Sequence, residues 1–206
     1  MLLEPIALIA DFEWLRQGII KPLSQLDDAS YGVVLHDSGI VPTNTMIAIV
    51  NPETHTLCPS SVIGEIWVSS DSNISGDMMG IFDANKLEAT IQGRDPRIKY
   101  LRTGDVGFLK SSGVKAPVEE GQCFYVLGHL SEVISSKGLL HFAIDIEESV
   151  ENCHQDIFYV IQIENEVVVI VTIKSSISPL LSAVPLIVSC ILERHSLLID
   201  TIVMQK

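Results

Sequence analysis

The chain has 206 residues, enough for one large domain or two small ones with a substantial core. Acidic residues outnumber basic ones 26 to 13, and the resulting net charge of −13 argues against a nucleic-acid-binding surface, which needs clustered Lys and Arg. Hydrophobic residues make up 47% but arrive as short runs between turn signals; the longest candidate, Pro179 to Leu192, is broken by prolines and serines and is too short to span a bilayer.

The start, MLLEPIALIADFEW, lacks a basic segment and carries Glu4 and Asp11 early, unlike a secretory signal peptide. Ile9 to Ile20 is predicted as a short amphipathic helix around Phe12, Leu15 and Ile19, with Trp14 beside it. Ser24 to Ser30 is polar and reads as a loop. Strand patterns begin at Tyr31. YGVVLHDSG ends at Gly39, and TMIAIV stops at the turn Asn51-Pro52. GEIWVSS, Gly64 to Ser70, puts Ile66 and Val68 on one face and Glu65 and Trp67 on the other. Ser72 to Gly76 is a turn, and Asp83 to Pro96 is a polar loop with a helical turn around Lys86 to Thr90. YLRTGDVGFL, Tyr100 to Leu109, sets Asp105 straight after a glycine, in a tight turn between two hydrophobic half-strands. A loop covers Lys110 to Gly121, and CFYVLG, Cys123 to Gly128, returns as a strand. Residues 31–128 are thus predicted to be mostly antiparallel β, a distorted barrel or sandwich.

A different architecture follows Gly128. A short strand, Glu132 to Ser135, leads to a turn at Lys137-Gly138. A helix from about Ile144 to Cys153 has Ile146 and Val150 inward and acids in its first turn. IFYVIQIENEVVVIVTIK is a hairpin around Glu164-Asn165-Glu166, Pro185 to His195 is a second helix with proline at a permitted early position, and SLLIDTIVMQK is a last strand. The fold class is therefore α+β: an antiparallel β-rich, barrel-like subdomain over residues 1–128, then a small α+β lobe over residues 129–206.

Asp105 carries the chemistry most directly. A single carboxylate on a Gly-bounded turn can accept hydrogen bonds from two neighbouring hydroxyls, such as those of a ribose. The competing role is a turn aspartate bonded to its own backbone. Arg94, Arg97, Lys99 and Arg102 precede that turn, either as a solvated loop or as a local positive field for a phosphate. Asp145, Glu147 and Glu148 suit acid–base work, but a favourable first helical turn explains them better. Lys137-Gly138 reads as an ordinary turn rather than a phosphate contact, and Trp14 and Trp67 as packing residues rather than ligand platforms. Cys58, Cys123, Cys153 and Cys190 form no C-x-x-C pair and are expected to be reduced thiols in an intracellular compartment. The six histidines show no metal-ligand spacing, so no metal site is expected.

GEIWVSS, YLRTGDVGFL and GHLSEVISSKGLLHFAIDIEESV stand in the order and spacing of the late motifs of adenylate-forming enzymes. The set resembles the fatty acyl-AMP ligases, with their G-E-I-W-V strand, L-R-T-G-D-L-G-F turn, G-R-x-K-D-x-I hinge and D-I-E helix. DFEWLRQGII is similar to the D-x-x-A-L-R-x-G-R-V segment of that branch. NPET and HFAIDIEE look most like the fungal members of the disco-interacting protein family, large proteins linked to lipid and particularly diacylglycerol homeostasis. The resemblance covers roughly residues 8–204, and the ordered set is far more specific than any one motif.

The resemblance implies that Asp105 accepts the ribose hydroxyls of ATP and of an acyl-adenylate. His129 stands where the family carries an arginine that reaches ribose or phosphate; histidine is shorter and mostly uncharged at neutral pH, which implies weaker nucleotide binding, or else merely a surface turn histidine. Leu130, Ser131 and Glu132 match the hinge at which the small lobe rotates, with Ser131 in place of the pivotal Lys or Asp; a fixed linker is the alternative. The family's Ser/Thr/Gly-rich phosphate loop, its magnesium-holding glutamate and its G-K lysine are not in this sequence, and Lys206 is not assigned the lysine's role. The expectation is a carboxy-terminal portion of a fatty acyl-AMP ligase-like domain, inactive alone. Its partners would be a missing N-terminal adenylation lobe and a fatty acid or lipid substrate, with ATP and magnesium as cofactors of a complete parent. A cytoplasmic setting, or one peripheral to organelle membranes, goes with it. The alternative is a non-catalytic lipid-regulatory or interaction module that keeps the fold.

Overall fold

A computed structural model describes residues 7–24, 32–73, 84–115, 120–153, 157–159, 168–173 and 183–205. The chain divides into two compact units, residues 1–130 and 131–206.

The first unit begins with β1 (Ala7–Asp11), which pairs antiparallel with β2 (Gly32–His36). The predicted helix over Ile9 to Ile20 is therefore corrected to a strand followed by a five-residue helix, α1 (Phe12–Arg16). Asp11 makes the switch: it is extended, and its carboxylate accepts the amides of Glu13 at 3.0 Å and Trp14 at 3.4 Å, satisfying two open donors of the first turn. Leu15 is buried, whereas Trp14 is 39% exposed with the Lys21 ammonium over its ring, so Trp14 is not the packing residue expected.

The body of this unit is one antiparallel sheet in the order β3 (Thr45–Val50), β4 (Gly64–Ser70), β5 (Leu101–Lys115), β6 (Glu120–His129). A short helix, α2 (Ala84–Leu87), precedes β5. Both faces of β4 are buried at its start, with Glu65, Ile66 and Trp67 each at 4% exposure or less. Ala48, Val50, Trp67, Ala89 and Ile91 form a core cluster against Tyr100. Phe108 and Tyr125 face each other across β5 and β6 and stack at 4.6 Å. The expected loop over Lys110 to Gly121 is instead strand as far as Lys115, because β6 continues the ladder to the pair Lys115↔Glu120. Most of the predicted loop over Ser24 to Ser30, and the end of the turn over Ser72 to Gly76, lie outside the described residues.

The second unit opens with a hairpin, β7 (Val133–Ser136) and β8 (Leu139–Phe142), joined by Lys137 and Gly138 at φ +52° and +79°. Two positive φ values are what a tight two-residue hairpin turn demands, so this pair is the ordinary turn expected. α3 (Ala143–Glu151) follows directly. A three-stranded sheet has the order β11 (Thr201–Gln205), β10 (Val168–Ile173), β9 (Ile157–Tyr159); β10 is antiparallel to β9 and parallel to β11, and α4 (Ala183–His195) makes the crossover. Ile146 and Val150 of α3 and Ile187 and Ile191 of α4 meet with Leu197 in one cluster. Each such aliphatic side chain contributes about 1.5–3 kcal/mol on burial. The hairpin turn at Glu164-Asn165-Glu166 and Lys206 lie outside the described residues. Among the described residues no helix is long and apolar enough to cross a membrane.

Candidate nucleotide-facing site

Asp105 does not sit in a tight turn. β5 runs straight through it, held by β4 on one side and β6 on the other. The local departure is a bulge: the ladder pairs Glu65 with Val106 and Trp67 with Arg102, so Thr103, Gly104 and Asp105 together oppose Ile66. Thr103 closes the gap with its side chain. Its hydroxyl donates to the Ile66 carbonyl at 2.7 Å and accepts the Asp105 amide at 3.0 Å. Gly104 turns the chain at φ +80°, a conformation that favours glycine. Two lines of pairing outweigh the turn signal in the sequence, and the glycine is spent on a bulge that re-aims the next side chain.

On the other side, Asp105 lies opposite His129 in the β5–β6 ladder. A Cβ on Gly104 would stand 2.7 Å from His129 Nε2, so the bare face of this glycine makes room for the imidazole. The structure thus brings together Asp105, half-buried, and His129, exposed. Leu130, Ser131 and Glu132 form a single exposed 3-10 turn straight after β6, and the boundary between the two units falls between Leu130 and Ser131.

Behind the bulge lies a residue that sequence reasoning passed over. Glu65 is 2% exposed, and its carboxylate takes Nε and Nη2 of Arg102 at 3.1 and 2.8 Å. Arg102 also reaches His55 Nε2 at 3.3 Å, and its guanidinium lies 5.4 Å from the fully buried Trp67 ring. Removing one partner of such a pair costs about 3–5 kcal/mol, so Arg102 is committed to the sheet. Exposed Arg97 is likewise bound to Asp95 at 2.7 Å, and this partner holds the Asp95 carboxyl below its ordinary range. The suggested positive field before the bulge therefore loses Arg97 and Arg102 to neighbouring acids. A signal for Glu65 was present: an acid in an otherwise apolar strand needs a buried cationic partner.

Of the three acids expected in a favourable first helical turn, only Asp145 is in the first turn of α3; Glu147 and Glu148 fall beyond it because the helix begins at Ala143. Burial, then the charges of Glu151 and Glu132, push Glu147 above its ordinary value. Among the described residues no three His, Cys, Asp or Glu side chains are grouped to hold a metal ion. A cleft of about 880 Å³ opens in the first unit, lined by Met46, Ile49, Tyr100, Leu109, Arg94 and Lys110 among others. Neither Asp105 nor His129 lines it, so it is not the site built by the bulge.

Fold and sequence together define the class. The chain superposes with TM-score 0.72 on a structure from a study of fatty acyl-adenylate ligases of E. coli and L. pneumophila, at 18% identity, over 97% of this chain and 33% of that one. It is 30% identical over 147 residues to a long-chain fatty-acid–AMP ligase of Mycobacterium tuberculosis, covering 68% of this chain and 23% of that protein. The chain belongs to the adenylate-forming superfamily, as part of a domain. Within that class, residues 131–206 match the family model of the disco-interacting protein 2-like AMP domain. The chain is also 32% identical over 222 residues to the homeostatic regulator of DAG of Saccharomyces cerevisiae, covering 96% of this chain and 13% of that protein.

Proposed function

We propose that this chain supplies the ribose-facing carboxylate and the interlobe hinge of a fatty acyl-AMP ligase-like domain. The single observation that carries the proposal is the bulge, which fixes the backbone of Asp105 through Thr103 and sets the residue opposite His129. Asp105 would accept both hydroxyls of a vicinal diol through its carboxylate; His129 would lie beside it as a shorter side chain than the arginine expected there. ATP would bring the α-phosphate to be attacked by a fatty carboxylate, and magnesium would come with it. The described residues offer no cluster to hold that metal, and the ligase name of the mycobacterial relative supports the acyl substrate. Leu130, Ser131 and Glu132 would absorb the backbone change as the second lobe turns.

The test is adenylate formation by the full-length protein that carries this chain, with and without Asp105→Ala. A hydrogen bond to a charged group contributes about 1.5–3 kcal/mol, so a loss of roughly 10- to 100-fold is expected. Equal rates in the two proteins would remove Asp105 from the mechanism. The isolated 206 residues are expected to give no ATP–pyrophosphate exchange.

A second function, a non-catalytic lipid-regulatory module that keeps the adenylation fold, is favoured by His129 and Ser131 standing where arginine and Lys or Asp are expected. The name of the yeast relative points the same way. Absence of adenylate with any fatty acid from a full-length protein that still binds lipid would decide for it.

A further inference from the structure

The seam between α3 and α4 contains a polar cluster that the proposed adenylation chemistry does not use. Ser149 is its centre. Its hydroxyl donates to the Asp145 carbonyl at 2.8 Å and bonds His195 Nε2 at 2.7 Å. Its carbonyl oxygen accepts two thiols, Cys153 at 3.1 Å and Cys190 at 3.4 Å. Two sulfurs held on one oxygen atom are neighbours. They come from opposite sides of the seam: Cys153 lies one turn beyond Val150 and Cys190 one turn beyond Ile187, and Val150 and Ile187 belong to the same apolar cluster. The thiols thus continue the α3–α4 contact outward. Both are free and only partly buried, so a small reagent can reach them.

We propose that Cys153 and Cys190 are a disulfide-forming pair, a reversible covalent tie between the turn just after α3 and the middle of α4. The co-reactant is a small disulfide of the glutathione type. One cysteine thiolate attacks a sulfur of that disulfide and expels a glutathione thiolate, leaving a mixed disulfide. The second cysteine then attacks the protein-bound sulfur, the Cys153–Cys190 bond forms, and a second glutathione thiolate leaves. Two protein thiols are oxidised and one small disulfide is reduced to two thiols. The Ser149 carbonyl loses both thiol donors in this step.

Burial, and the Cys190 thiol beside it, push Cys153 up to about 12. Its thiol is therefore almost wholly protonated at neutral pH, and closure is slow against a weak oxidant. Cys58, on the Ile63 carbonyl, and Cys123, buried in β6, belong to the other unit and serve as internal controls.

The experiment is treatment of the reduced, folded 206-residue chain with oxidised glutathione, followed by non-reducing peptide mass spectrometry. The expected product is an intramolecular Cys153–Cys190 peptide lacking two hydrogens, reversed by dithiothreitol, with Cys58 and Cys123 still alkylatable. Cys153→Ser is expected to abolish the cross-link and trap a glutathione adduct on Cys190, since the protonated Cys153 is the poorer first nucleophile. Glutathione adducts on both sulfurs of the wild type without closure, or cross-links that involve Cys58 or Cys123 as often, would overturn the proposal. The wild-type result stands whether or not the variant folds.

Discussion

The two glycines of the T-G-D-V-G stretch do different work, and substitution separates them. Gly104 has φ +80°, and a methyl there would press on the tip of His129, a side chain that can move. Gly104→Ala should cost about 1–3 kcal/mol, the range for a non-glycine residue held in that region. Gly107 has no such relief, because its added methyl would overlap the backbone carbonyl of Tyr125. Gly107→Ala should cost about 3 kcal/mol or more, the upper end of overpacking, and should not be rescued by changing any one side chain. Urea denaturation of Gly104→Ala, His129→Ala and the double variant checks the first claim: a coupling of about 0.5 kcal/mol or more is expected. Strict additivity would mean that the imidazole does not meet this face. Asp105 stood out in the sequence because a carboxylate between two glycines is an unusual pattern, but its setting was read as a tight turn where the structure has a bulged strand. Its partner across the ladder, His129, was legible only through the motif. Glu65 was missed because strand alternation was read for face and not for charge balance.

At the scale of elements, α4 tests whether the buried stripe is assigned correctly. Ile187 is fully buried and its neighbour Leu186 is 51% exposed. Ile187→Ala should cost about 2–5 kcal/mol and Leu186→Ala less than about 0.5, by denaturant midpoint. A reversed order would place the helix the wrong way round. α3 carries a pH dependence. Burial, reinforced by Glu151 and Glu132, raises the Glu147 carboxyl above its ordinary value of 4.5. A carboxyl whose native value lies above its unfolded one contributes stability that is fully present below pH 4.5 and is lost as pH rises through the native value. Glu147→Gln should therefore flatten that part of the stability curve and leave the variant equal to or more stable than wild type at neutral pH. Denaturation at acid and neutral pH reads this directly, and an unchanged curve would remove Glu147 as its source. Sequence periodicity revealed α3, α4 and most strands. It missed β8, whose Leu139–Phe142 run passes into α3 with no breaker between them. It also broke β5 at Gly104, since a glycine that ends a strand and one that bulges a strand look alike until the neighbouring strands are in place.

For the molecule as a whole, charge sets the environment to which stability answers. Twenty-six acids against 13 bases leave −13, and compact folding concentrates that charge. Raising ionic strength from about 0.01 M to about 0.15 M shortens the Debye length from roughly 30 Å to 8 Å, so the thermal midpoint should rise by a few degrees. A midpoint that falls would mean that attractive pairs such as Arg97–Asp95 outweigh the general repulsion. Hydrophobic period and turn spacing change together after Gly128, close to the division between residues 130 and 131.

The order of strands in the second unit bears on how the chain is made. In the first unit the whole sheet is available once His129 has been synthesised, because β3 to β6 follow one another and pair in sequence. β10 is different: it is central, and its parallel neighbour β11 follows only after all of α4. Until Thr201–Gln205 leaves the ribosome, the edge of a VVIVTI segment stands unpaired, with only short β9 on its other side. Such an edge is a template for pairing with another nascent chain. A holding chaperone that shields apolar segments would find its binding site there, and for a period set by the translation of residues 174–200, α4 and the segments that flank it.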